Sequence, residues 1–170
     1  MRQFKVGTKV CYPNHGVGVI EQITHSHLNG TSQHFYLVRI ASNDLKVTVP
    51  CMNTDCVGLR PLIKSSEVSR VLKSLENGRI LNHRDWKSRF KLNSERMRTG
   101  SLYDVAEVLK SLLMLNRSKP LSFREKKMLE RSRQLLVAEL ATVRNVSEAT
   151  VELAVNKALG KSKLRLPELD

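Results

Sequence analysis

The stretch Val57-Gly58-Leu59-Arg60-Pro61-Leu62-Ile63-Lys64-Ser65-Ser66-Glu67 marks a change of hydrophobic period along this chain. Before Pro61 the apolar residues fall in short runs, as in strands. After Ser65 they recur at the three- and four-residue spacing of helices. The chain is therefore read as an α+β protein: a small β-module over residues 1–63, a helical domain over 64–160, and a polar, fraying tail over 161–170.

Upstream of the break, Lys9-Val10-Cys11-Tyr12 leads into the turn signal Pro13-Asn14-His15-Gly16, and Val17-Gly18-Val19-Ile20 resumes the apolar run. Residues 24–33 read as a hairpin loop because Asn29-Gly30 suits the positive φ angles of a type I′ turn. Phe35 to Ile40 is aromatic and β-branched, Asn43-Asp44 is the next turn, and Lys46 to Val49 alternates polar and apolar before Pro50. Four or five such short strands suggest a strongly bent sheet or a small SH3-like barrel, too small to be an obvious enzyme scaffold.

Downstream, about five helices are expected. Val68, Val71, Leu72 and Leu75 share one face, and Asn77-Gly78 stops that helix. A second helix is expected over 83–98, ending at Thr99-Gly100. Ser101 can cap a third, whose Leu102, Val105, Ala106, Leu109, Leu112 and Leu113 give the clearest stripe in the chain. Residues 116–120 read as a connection. Ser122 and Glu125 have capping-box spacing, and Ser147 can open a last helix that Gly160 closes.

The formal net charge is +13, which favours polyanionic partners. It is unevenly spread: residues 1–63 hold six basic and three acidic residues, whereas residues 64–170 hold 23 and 13. No apolar run approaches the roughly 20 residues of a membrane span, and the first residues lack a signal-peptide core. Membrane association is not expected. Cys11, Cys51 and Cys56 suggest no disulfide framework and read as buried thiols of a reducing cytoplasm.

The densest positive charge surrounds the single tryptophan, Trp86. Arg79, Arg84, Lys87, Arg89, Lys91, Arg96 and Arg98 face only Asp85 and Glu95 between positions 79 and 98. Few acids stand at i+4 to neutralise them, so Arg84, Lys87, Arg89 and Lys91 read as phosphate contacts. On spacing alone Trp86 reads as a core anchor, because Trp86, Phe90, Asn93 and Met97 lie near one helical face. Its alternative is an exposed wedge that enters a minor groove or stacks on an unpaired base. Exposure of the indole separates the two.

Other chemistry finds little support. His15, His25, His27, His34 and His83 show no metal-ligand spacing; His25 and His27 would share a face only on a strand, with no carboxylate or cysteine beside them. Gly16-Val17-Gly18 lacks a following helix and reads as a turn. No nucleophile, base and orienting acid combine, so neither catalysis nor a metal or cofactor is expected.

The segments Phe4 to Gly7 and Val10 to Gly18 resemble the opening of the CarD/CdnL family of bacterial transcription regulators. The similarity continues through Phe35 to Val38, Val47 to Pro50 and Val57 to Arg60, then through Trp86 to Lys91, Val105 to Leu109 and Leu121 to Leu129, about residues 3–160 in all. The opening motif alone is shared with the polymerase-binding module of transcription-repair coupling factors; the helical half with its tryptophan is not.

The resemblance implies a Tudor-like β-module that docks on the β subunit of RNA polymerase, here through Ser26, Arg39, Lys46, Val47, Thr48 and Val49. It implies a helical domain laid against double-stranded promoter DNA at the upstream edge of the transcription bubble. Trp86 would wedge into the minor groove, with Lys87, Arg89 and Lys91 on the backbone, which reverses the core-anchor reading. The protein would be a cytoplasmic monomer, held at the nucleoid through the polymerase. Ser26 and Thr48 stand where some relatives carry arginine, leaving Lys46, Arg39 or strand addition to compensate, and Ser88 replaces a common basic residue. The alternative reading is a general RNA-associated nucleic-acid-binding protein without polymerase docking; a third is a structural adaptor that binds only protein.

Overall fold

Asn29 and Gly30 adopt φ angles of 52° and 78°, the left-handed pair a type I′ turn requires. The loop they make is shorter than the sequence suggests. In the computed structural model, which describes residues 3–77 and 85–168, strand β2 (Gly16–Leu28) runs up to the turn and β3 (Thr31–Ile40) leaves directly after it. Residues 24–28 and 31–33 are therefore strand. β1 (Lys9–Tyr12), β4 (Lys46–Pro50) and β5 (Arg60–Pro61) complete a sheet of order β4-β3-β2-β1-β5, antiparallel at every pairing.

The expected barrel is corrected by this order. The sheet is open: β4 and β5 are its two ends, and β5 is only two residues long. A bulge between Ile20 and Gln22 resets the register of β2 against β3. Gly18 lies where β3 presses close; a Cβ there would meet Val38 Cγ1 at 2.8 Å and the Arg39 carbonyl oxygen at 3.0 Å. One face buries Val10, Ile20, Tyr36, Val38, Ile40, Val49 and Leu59. The Tyr36 hydroxyl accepts the Phe4 N–H at 3.0 Å, and the two rings meet edge to face. Of the thiols expected to be buried, only Cys11 is; Cys51 is half-buried and Cys56 exposed.

The chain divides into two units, Met1–Leu62 and Ile63–Asp170. The second holds α1 (Val68–Asn77), α2 (Trp86–Thr99), α3 (Leu102–Ser118), α4 (Phe123–Arg144) and α5 (Glu148–Gly160). A 3₁₀ turn over Ser65–Glu67 precedes α1. The stop expected at Gly78, like the start of α2 expected at 83, lies outside the described residues. Gly100, at φ 77°, ends α2 in the left-handed region. Helix α3 runs on through Asn116 to Ser118, where the sequence suggested a connection.

The α3 stripe forms the centre of the helical core. Leu102, Val105, Ala106, Leu109, Leu112 and Leu113 are buried, with Leu136 and Leu140 of α4, Val71 and Leu75 of α1, and Val155 and Leu159 of α5. Each such leucine contributes roughly 1.5–3 kcal/mol through its removal from water. Burial also reaches Lys110, whose amine desolvation pushes below its ordinary range. Ser122 caps α4 with the expected reciprocal box to Glu125, and Ser147 caps α5.

The segment after Gly160 is not the fraying tail its polarity suggests. Leu164 and Leu166 are buried in the core, Asn156 accepts the Leu166 N–H at 2.8 Å, and Arg133 donates to the Pro167 carbonyl at 2.8 Å. The two leucines alternate with Lys163 and Arg165, so one side of an extended segment can be apolar while its composition is charged.

Candidate functional site

Helix α2 is capped by Asp85, whose carboxylate accepts the Ser88 N–H at 3.1 Å and the Ser88 hydroxyl at 3.0 Å. Those two bonds, the backbone one first, hold the Asp85 carboxyl below its ordinary range. Trp86 is therefore the first residue of the helix. Side chains on a helix lean toward its N-terminus, so the indole leans off the end of α2 and is 46% exposed. It stands beside Phe90, with ring centroids 6.4 Å apart. The core-anchor reading of Trp86 is thereby corrected: the buried face of α2 is Arg89, Asn93 and Met97, and the first turn has no preceding turn to extend that face to Trp86.

The basic run separates according to which way each residue turns. Lys87 and Lys91 are exposed, each about 160° around the helix from Arg89 at 100° per residue. Arg89 itself is buried, its guanidinium donating to Glu125 at 3.0 Å with the two side chains only 9% and 6% exposed. Its role as a phosphate contact is corrected: the charge is spent inside the protein. Arg96 pairs with Glu107 of α3 at 3.0 Å, and Arg98 is exposed. Arg79 and Arg84 lie outside the described residues.

Glu125 is the hub of this end of the unit. Its carboxylate accepts the Ser122 N–H and the Ser122 hydroxyl, each at 2.9 Å, besides Arg89. Burial by itself raises the Glu125 pKa, but the Ser122 and Arg89 hydrogen bonds and the Arg89 charge outweigh it, and the carboxyl titrates below its ordinary range. The ion pair brings the first turn of α4 to the first turn of α2. Phe123, two residues before Glu125, is 72% exposed, with the Lys127 ammonium 4.6 Å from its ring centre. Arg124 and Lys126 are exposed as well.

Two exposed aromatic rings at two adjoining helix N-termini, among lysines and arginine, suit an anionic polymer: cations for phosphate, flat rings for bases. The α4 share of this surface is the part that sequence reasoning missed. Its signal was the run Phe123-Arg124-Glu125-Lys126-Lys127, but only the contact between Arg89 and Glu125, 36 positions apart, joins it to Trp86.

On the sheet, the expected docking residues do not form one cluster. Arg39 and Lys46 face each other across β3 and β4, and both reach Glu21, at 3.4 and 3.3 Å; Arg39 also pairs with Asp44 at 3.1 Å. Ser26 is opposite Gln33, six residues along β3 from Arg39 and so about 20 Å away. Val49 is 1% exposed and Val47 packs against the core, so these two side chains hold the sheet together and do not face a partner; their places in a docking surface are corrected accordingly. Thr48 is exposed on β4.

Strand β4 is an edge. The Ile40 N–H donates to the Leu45 carbonyl at 2.8 Å, one step beyond the Arg39–Lys46 pair. Antiparallel pairs alternate between bonded and non-bonded, so Val47 and Val49 bond to β3. Lys46 and Thr48 thus turn their N–H and C=O outward. Leu45 and Met52, 43% and 71% exposed, flank this edge.

Among the described residues, no three metal-ligating side chains gather and no helix is long and apolar enough to cross a membrane.

Comparison with known proteins covers both units. Residues 4–63 match the family model of the CarD-like/TRCF RID domain, and residues 70–156 match that of the CarD C-terminal domain. The chain is 27% identical over 149 residues to YdeB of Bacillus subtilis (strain 168), a candidate transcription factor, across 88% of this chain and 97% of the relative. Among solved structures, CdnLNt from Myxococcus xanthus shares 38% identity over 37% of this chain and 89% of its own, with a TM-score of 0.31.

Proposed function

Because this chain belongs to the CarD/CdnL family of transcription regulators, which interact with RNA polymerase, we propose that it holds the promoter open at the upstream edge of the bubble. In this reading the β-module docks on the polymerase β subunit, and Trp86 contacts opened DNA with Lys87 and Lys91 on the phosphates. The exposed α4 cations Arg124, Lys126 and Lys127 widen the basic surface. The observation that carries the reading is the exposure of Trp86 at the first position of α2, beside the exposed Lys87 and Lys91.

The physical principle is differential binding. A contact made to opened DNA and not to closed duplex shifts the population toward the open complex by the difference in free energy. Stacking of one base on an aromatic ring is worth about 1–3 kcal/mol, which is about a 5- to 150-fold change in an equilibrium. The expected result is an open complex that decays faster with Trp86→Ala than with wild type, at equal polymerase binding. An unchanged lifetime with a folded variant would remove the wedge.

Docking of the β-module is supported by the free β4 edge, where an extended polymerase segment can add as a further strand. Thr48→Pro tests this. It deletes an outward N–H and leaves the bonds to β3 intact, so the sheet should fold while β-subunit binding weakens about tenfold, or about 1.4 kcal/mol. Retained affinity would exclude strand addition at this edge.

The charge distribution favours this reading over a nucleic-acid-binding β-module: the sheet half holds six basic and three acidic residues, the helical half 23 and 13.

A further inference from the structure

Three of the five histidines, His25, His27 and His34, fall on the arms of the β2–β3 hairpin. His25 and His27 are two apart on β2 and so face the same way. His34 is directly opposite His25, which puts it on that face too, and all three are exposed. The sequence offered only the pair on one strand; the register supplies the partner across.

The position of His25 and His34 in the ladder matters. The two-residue Asn29-Gly30 turn is closed by Leu28 and Thr31, which in such a turn form a hydrogen-bonded pair. Counting back, 27–32 is non-bonded, 26–33 bonded and 25–34 non-bonded. Non-bonded pairs bring their side chains closer, with Cα atoms about 4.5 Å apart. The two imidazole rings accordingly stand with centroids 4.3 Å apart and planes 72° to each other.

We propose that His25 and His34 form a cross-strand clip for a borderline divalent cation of the Zn²⁺ class. Such ions take imidazole nitrogen at about 2.0–2.1 Å, so two ligands around one tetrahedral ion stand about 3.3 Å apart, which rotation of these exposed rings can provide. Imidazole suits Zn²⁺, Cu²⁺ and Ni²⁺ and not the oxygen-seeking Mg²⁺. The clip supplies two ligands, and water or a group from another molecule fills the remaining positions. Bound metal would tie β2 to β3 at the arm of the hairpin that lies beyond the buried part of the sheet. His27 is two positions further on, opposite Ser32, and is not one of the two anchors.

Zn²⁺ titration of the full-length protein, followed through the imidazole resonances by NMR, tests the clip. The resonances of His25 and His34 should move together and saturate, with no response to Mg²⁺. His25→Ala and His34→Ala should each weaken binding by at least about tenfold, the scale on which a lost ligand-sphere contact shows, while His27→Ala stays near wild type. Because the readout is resolved by residue, zinc captured by the exposed Cys56 is distinguished from zinc on the hairpin. Unmoved His25 and His34 signals would overturn the proposal. So would loss of binding in His27→Ala with none in His34→Ala, which would put the ion on one strand.

Discussion

Lys87 and Arg89 are two residues apart on one helix, carry the same charge and meet opposite fates. On one side of α2, Lys87 and Lys91 are exposed and turned to solvent. On the other, Arg89 is closed in against Glu125. A rotation of about 160° separates a residue that can hold a partner's phosphate from one that holds the protein together. Charge density along the sequence marks a basic helix; it does not say which cations are available. The buried side also serves the exposed one, since the ion pair fixes the first turn of α2, from which Trp86 projects, against the first turn of α4.

The largest effect is expected on the buried side. Arg89→Ala leaves the buried Glu125 carboxylate with its Ser122 hydrogen bonds but without an opposite charge, and breaking such a pair costs about 3–5 kcal/mol. Urea unfolding should register that loss, and a variant within about 0.5 kcal/mol of wild type would erase the distinction between the two faces. Next in size is Trp86→Ala. Because Trp86 is exposed, its removal should leave the unfolding midpoint almost unchanged while open-complex lifetime falls by at least about fivefold. A large stability loss would return the ring to the core.

Smaller still are the lysines. Lys87→Ala and Lys91→Ala should each lower the slope of log affinity against log salt for duplex DNA by about 0.9, without sequence preference and without loss of stability. Arg89→Lys should leave that slope alone if it stays folded.

The mildest test is acid. The Glu125 carboxyl, held below its ordinary 4.5 in the folded protein, binds its proton more readily once unfolded. Its contribution to stability is complete above about pH 4.5 and is lost as the pH falls through the lower folded value. The stability gap between wild type and Glu125→Gln should therefore be constant near neutrality and narrow below about pH 4.5. A constant gap down to acid would mean that the ion pair is not what Glu125 supplies.

Much of the fold was legible in local patterns. The change of period near Pro61, the α3 stripe, the Asn29-Gly30 turn and the Ser122 and Glu125 box are all short-range signals. Their physics, from left-handed φ at a turn to one apolar face per helix, acts within a few residues. The misreadings share the opposite cause. The barrel closure expected of the β-module is absent because it needs a pairing between the two edge strands, β4 and β5, which no local pattern encodes. Residues 161–167 looked like a solvated tail because Leu164 and Leu166 are hidden among charges. Trp86 was assigned a core face by spacing because the helix register alone does not tell where the neighbouring helices end.

The candidate site divides along the same line. Trp86, Lys87 and Lys91 could be named from composition, since a lone indole in a basic run is visible in the string of residues. The loss of Arg89 to Glu125, the addition of the α4 terminus and the outward turn of Lys46 and Thr48 could not. By itself the sequence determined which groups exist and which local structures hold them, because propensity, periodicity and capping operate within a turn or a strand. Only the tertiary structure decided which charges face water, since an ion pair between residues 36 positions apart forms only when two helices are packed, and burial makes a free charge there too costly to leave unpaired.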